Sequence, residues 1–123
     1  MNAGFLAYLQ INFPATERVD GQLDKIKIRE DGWQTLRLLQ EHCTNLQTLE
    51  TVVYGPNCVL VTDNEINVRF LHDTLQDIDT QFRAIGSLGR IIVKIFCRSP
   101  APKTTEFMKQ LGWIVLPRNG DQR

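Results

Sequence analysis

Residues 43–53 read CTNLQTLETVV and residues 85–95 read IGSLGRIIVKI. Aligned, Cys43 meets Ile85, Thr44-Asn45 meets Gly86-Ser87, Leu46 meets Leu88 and Leu49 meets Ile91. Each stretch follows an apolar stripe. Trp33, Leu36, Leu39 and Cys43 are spaced by 3, 3 and 4 residues, and Leu71, Leu75, Ile78, Phe82 and Ile85 by 4, 3, 4 and 3. Both spacings place the apolar residues on one face of a helix. Past Cys43 and Ile85 the period changes, and Leu49, Val52 and Val53, like Ile91 to Ile95, read as buried strands. Two helix-turn-strand units of one design therefore recur about 42 residues apart.

Working outward, Phe5, Ala7, Leu9, Ile11 and Phe13 alternate with Leu6, Tyr8, Gln10 and Asn12, a strand stopped by Pro14. The polar run Ala15 to Gln22 reads as a loop, and Leu23 to Ile28 as a second short strand. Asp31 is placed to cap the first helix. Tyr54 to Glu65 is an insertion, loop-like or with a short strand at Val59 to Val61. Ser99-Pro100 suits the start of a third helix, whose apolar face is Phe107, Met108 and Leu111. Gly112 stops it, and Trp113 to Leu116 forms a last strand before Pro117. Strand centres near residues 26, 51, 93 and 115 give steps of about 25, 42 and 22, two of them in the range of leucine-rich-repeat units. The expected fold is α/β: repeated helix-turn-strand units with a mostly parallel sheet, leucine-rich-repeat-like. Helices on one face would make a curved, repeat-like sheet; helices on both faces would make a small doubly wound domain. Residues 1–117 form one domain and 118–123 a flexible tail. The expected core is Leu36, Leu39, Leu49, Leu71, Leu75, Ile78, Phe82, Ile92 and Ile95.

Composition narrows the function. A chain of 123 residues suits a single domain with its own core. Lys+Arg and Asp+Glu both number 14, so no excess positive charge favours nucleic acid or an anionic membrane. No apolar run is long enough to span a bilayer, and the N-terminus lacks the basic flank and cleavage site of a signal peptide. Cys43, Cys58 and Cys97 are an odd number of cysteines without a CxxC, which points to reduced thiols in a cytoplasmic or nuclear protein.

Candidate chemistry is sparse. His42, Cys43, Cys58, His72 and Cys97 lack the short paired spacing of a zinc site, and no Gly-rich turn presents a cysteine nucleophile. The stretch from Asp63 to Asn67 has Val68 and Thr74 where a calcium loop needs Gly and Glu. Gly86 to Arg90 follows a helix and opens a strand, the reverse of a phosphate loop. Asp73 and Asp77 lie one turn apart on a polar face, with no sign of the cleft that acid-base work requires. No catalytic residue, metal ligand or cofactor is assigned, which favours a non-enzymatic protein.

WQTLRLLQEHCTNLQTLETVV, and the run from AIGSLGRIIVKIF to KQLGWIVL, resemble the C-terminal leucine-rich-repeat-like regions of uncharacterised fungal, F-box-associated proteins. The shared elements are a Trp-initiated leucine helix, His-Cys-x-x-Leu before a strand, Ile-x-Ser-Leu before the next, and a closing Leu-Gly-Trp. The likeness spans residues 33 to 116. It implies an adaptor that holds a partner. No Leu-Pro-x-Glu segment precedes residue 33, so ligase docking is not implied. Uncapped sheet edges tend to pair, and the expected partner is another protein or a second copy in a homodimer. Interface candidates are Phe5, Phe13, Trp33, Tyr54 and Trp113. The alternatives are a small-molecule or enzymatic α/β domain with a site at the strand C-terminal ends, near Tyr54, Gly55, Arg98 and Ser99, and a remnant of a larger repeat protein.

Overall fold

In the computed structural model, which describes residues 6–19, 22–55, 68–97 and 101–117, the N-terminal alternation forms β1 (Tyr8–Asn12). A hairpin of β2 (Thr16–Val19) and β3 (Gln22–Ile28) follows. Helix α1 (Glu30–His42) then leads to β4 (Thr48–Val53), α2 (Val68–Arg83) to β5 (Arg90–Ile95), and α3 (Pro102–Gln110) to β6 (Ile114–Pro117). Strands β1, β4, β5 and β6 lie side by side in that order, each pair parallel. The fold is mixed α/β, with a parallel four-stranded sheet, an antiparallel hairpin and three helices among the described residues.

The internal sequence match is the sheet register itself. Leu49 pairs with Ile91 and Val53 with Ile95. The turns match bond for bond: Leu46 N donates to Cys43 O at 3.3 Å, and Leu88 N to Ile85 O at 3.0 Å. Each strand also enters the sheet by the same pair of amides. Gln47 N and Thr48 N donate to Ala7 O, and Gly89 N and Arg90 N donate to Gln47 O, all at 2.9–3.0 Å. Ser87 Oγ ties the two turns together by donating to Thr44 O and Leu46 O.

Successive strand residues face opposite sides. Leu49, Thr51 and Val53 are buried on one side, as are Ile91, Val93 and Ile95. The apolar members of both sets join Leu36 and Leu39 of α1, Leu71, Leu75, Ile78 and Phe82 of α2, and Met108 of α3 in one cluster. All three helices therefore cover the same face. The other face has no helix on it among the described residues.

Several expectations change. Residues 16–19, read as loop, form β2, because pairing with β3 needs no apolar run. The strand expected from Leu23 to Ile28 exists but lies outside the parallel sheet. Its Ile26 and Ile28 pack toward α2, where Thr74 Oγ1 donates to Ile26 O at 2.7 Å. Equivalent sheet positions are thus 40, 42 and 22 apart (Tyr8 to Thr48, Thr48 to Arg90, Ile92 to Ile114), not 25, 42 and 22. Ile92 leaves the core because Ile91 and Val93 occupy the helix-facing side. Asp31 is inside the first turn of α1 rather than capping it; Arg29 holds the cap position without a side-chain capping bond, and its Nε donates to Asp31 Oδ1 at 3.1 Å. Helix α3 starts at Ala101-Pro102; Ser99-Pro100 lies outside the described residues. So do the possible strand at Val59 to Val61, the Asp63 to Asn67 stretch and the 118–123 tail. Gly112 ends α3 as expected, at φ 93°. Cys43 is free, and burial pushes its thiol pKa up. Cys97 is disulfide-bonded, so the expectation of reduced thiols does not hold there; Cys58 lies outside the described residues.

Candidate functional site

The face with no helix on it among the described residues is a grid set by strand register. One row holds Tyr8, Thr48 and Arg90; the next holds Gln10, Glu50, Ile92 and Ile114; the third holds Asn12, Val52, Lys94 and Leu116. Phe96 follows at the end of β5. Glu50 is the carboxylate of this grid and is only 4% exposed. A buried carboxylate is costly unless donors and a counter-charge surround it. Tyr8 Oη and Gln10 Nε2 both donate to it, and Lys94 Nζ lies 2.9 Å from Oε2. The hydrogen bond from Tyr8, then that from Lys94, hold the Glu50 pKa below the usual carboxylate range against the opposing effect of burial. The same contacts raise the Tyr8 and Lys94 pKa values.

The cluster predicts a pH profile with a defined sign. A depressed carboxyl pKa contributes stability that is complete above the ordinary carboxylate range, roughly pH 4–5, and is lost as pH falls through the lower folded value. The raised Tyr8 and Lys94 pKa values contribute below roughly pH 10, and that contribution is lost as pH rises through their folded values. Lys94→Met should lower the melting temperature at neutral pH. The gap from the wild type should close in acid, where Glu50 is protonated in both. Melting curves from pH 7 to pH 3 with a constant gap would show that the ion pair is not the source.

Toward β6 the face becomes aliphatic, with Ile92, Ile114 and Leu116 adjacent. Of six exposed large apolar or aromatic side chains among the described residues, Tyr8, Phe96, Ile114 and Leu116 belong to this face or its rim. That concentration marks it as a surface rather than scattered exposure. A depression of about 630 Å³ lies at the C-terminal end of β1 and β4, lined by Gln10, Ile11, Asn12, Thr35, Val52 and Phe96. A second, of about 420 Å³, lies beside α3, where the His72 ring stacks on Phe107 at 3.8 Å and burial lowers the His72 pKa.

The residues singled out from sequence fall elsewhere. Phe13 and Trp113 are inside, at 1% and 3% exposure, with ring centroids 5.9 Å apart. Trp113 Nε1 donates to Asp79 Oδ1 at 2.7 Å. Both hold the core and offer no surface. Trp33 is half-buried against the core, and Tyr54 is exposed just after β4. Gly55 has φ 58°. Phe5, Arg98 and Ser99 lie outside the described residues. Sequence reasoning misses the Glu50 cluster, and it places Ile92 in the core and Ile114 and Leu116 only in a last strand. The alternation of β1 carries the signal for Tyr8 and Gln10, whereas the apolar run before Lys94 in β5 carries none.

No protein-family model matches the chain, and no curated protein or solved structure matches it. Among the described residues, no group of three or more His, Cys, Asp or Glu is placed to hold a metal, and no helix is long and apolar enough to cross a membrane.

Proposed function

We propose that the chain is a non-enzymatic protein-interaction module of leucine-rich-repeat-like design that engages its partner through the open sheet face. The carrying observation is the face without a helix on it among the described residues, where a buried, internally neutralised Glu50 shares the sheet with exposed Tyr8, Phe96, Ile114 and Leu116. Aromatic and aliphatic side chains around a satisfied polar centre suit a protein interface. The cluster does not suit proton transfer, because general acid-base groups work with pKa values near the operating pH and these values are pushed away from neutrality. Parallel strands with the three described helices on one side fit stacked repeats. The resemblance to adaptor regions of fungal F-box-associated proteins agrees with that reading.

A displayed random-peptide library selected against the dilute chain tests it. Enriched peptides should lose at least tenfold in affinity for an Arg90→Glu/Ile92→Thr variant and keep affinity for Leu38→Glu on α1. Enrichment only of peptides indifferent to Arg90 and Ile92 would remove the reading. The 630 Å³ depression favours a second reading, a small-molecule site, because α/β sheets take ligands at strand C-terminal ends. Ligand-dependent thermal stabilisation abolished by Asn12→Leu would select it instead.

A further inference from the structure

Strand β6 closes one edge of the sheet, and its outer side pairs with no strand among the described residues. Proteins usually guard such an edge with charge, proline, a bulge or a cover. Ile114, Val115 and Leu116 carry no charge, and β6 runs in unbroken register with β5. Proline appears only at its last position. Ile114 and Leu116 are each 43% exposed, both on the open face.

The sequence of this edge is self-complementary. An antiparallel twofold centred on Val115 sets Val115 against its own copy and Ile114 against Leu116 of the second copy, twice over. These three central cross-strand pairs are all aliphatic, the kind that stabilises neighbouring strands. On the open face, Ile114 and Leu116 of both copies become one patch that continues into Ile92 on either side. Lys+Arg and Asp+Glu are equal at 14 each, so net charge does not hold two copies apart. A pair of four-residue strands buries far less than the roughly 1,200 Å² of a stable interface, so the association is weak and concentration-dependent.

We propose that two copies of the chain join through β6, antiparallel about Val115, into one continuous sheet whose open faces form a single binding surface. This names one partner of the interaction module and rests on that reading. Light scattering on size-exclusion fractions of the full chain, across a wide concentration range, tests it. The wild-type mass should rise from 14.1 kDa toward twice that value. Ile114→Lys/Leu116→Lys and Ile114→Glu/Leu116→Glu should each associate at least tenfold more weakly. An equimolar mixture should recover the dimer, because the register sets each new lysine opposite a new glutamate. A wild type that stays monomeric overturns the pairing, as does a dimer that both charged variants retain. If the double variants do not fold, hydrogen exchange on the wild type decides. Amides of β6, and not of β1, should gain protection with concentration; equal protection at all concentrations overturns the pairing. The peptide selection uses the dilute chain and substitutions on β5, so it can fail or succeed independently.

Discussion

Phe82→Ala lowers the unfolding free energy by about 3–5 kcal/mol in a denaturant titration. Phe82 is fully buried in the last turn of α2, with Leu75 and Ile78 on the preceding turns of the stripe, and its ring centroid is 6.0 Å from that of Trp113. Truncation removes the transfer free energy of the ring and leaves a cavity. It also removes an aromatic contact that contributes about 0.5–1.5 kcal/mol beyond area alone. Domains of this size are stable by about 5–15 kcal/mol, so the variant stands near the limit of folding. Gln76→Ala, on the exposed side of the same helix, should stay within about 0.5 kcal/mol. Equal effects for the two would mean that α2 does not bury the stripe.

Gly32→Ala should destabilise by about 1–3 kcal/mol, although the helix scale favours alanine over glycine by about 1 kcal/mol. The sign reverses because of what lies beside the first turn of α1. A Cβ at Gly32 would sit 2.7 Å from Ala15 O and 2.9 Å from Ile28 Cγ2. The Ala15 carbonyl is not free to move away, since it accepts a 2.8 Å hydrogen bond from Arg29 N. Ile28 is in the core. Relief requires the helix and the hairpin to separate, which loosens the packing of both. Thermal melts of the variant check this, and a raised melting temperature would show that the hairpin does not press on α1.

Gly32 also marks where sequence reasoning stops. As a sequence feature it is only a helix residue of low propensity; its necessity comes from a chain segment 17 residues earlier. The open face has the same character. Tyr8 and Gln10 follow the alternation of β1, but the cluster around Glu50 exists only because Tyr8, Gln10 and Lys94 arrive from two other strands, about 40 residues away on either side. In Arg-Ile-Ile-Val-Lys-Ile the apolar run gives no alternation, so nothing local tells that Ile91 and Val93, and not Ile92, face the helices.

What the sequence determined by itself was everything carried by short-range spacing. The stripe from Leu71 to Ile85, the stop at Gly112, and the match of residues 43–53 to 85–95 are local patterns, and the match reappears as the β4–β5 register. Helix periodicity and turn chemistry act within a few residues, so they can be read along the chain. The tertiary structure decided what depends on distant pairing: the hairpin at Thr16 to Ile28, the placing of β1 beside β4, and the three described helices on one side. It also took Phe13 and Trp113 inside and left Ile114 and Leu116 at the edge. These outcomes depend on which surfaces meet after the chain has folded back on itself, and spacing along the chain does not encode that meeting.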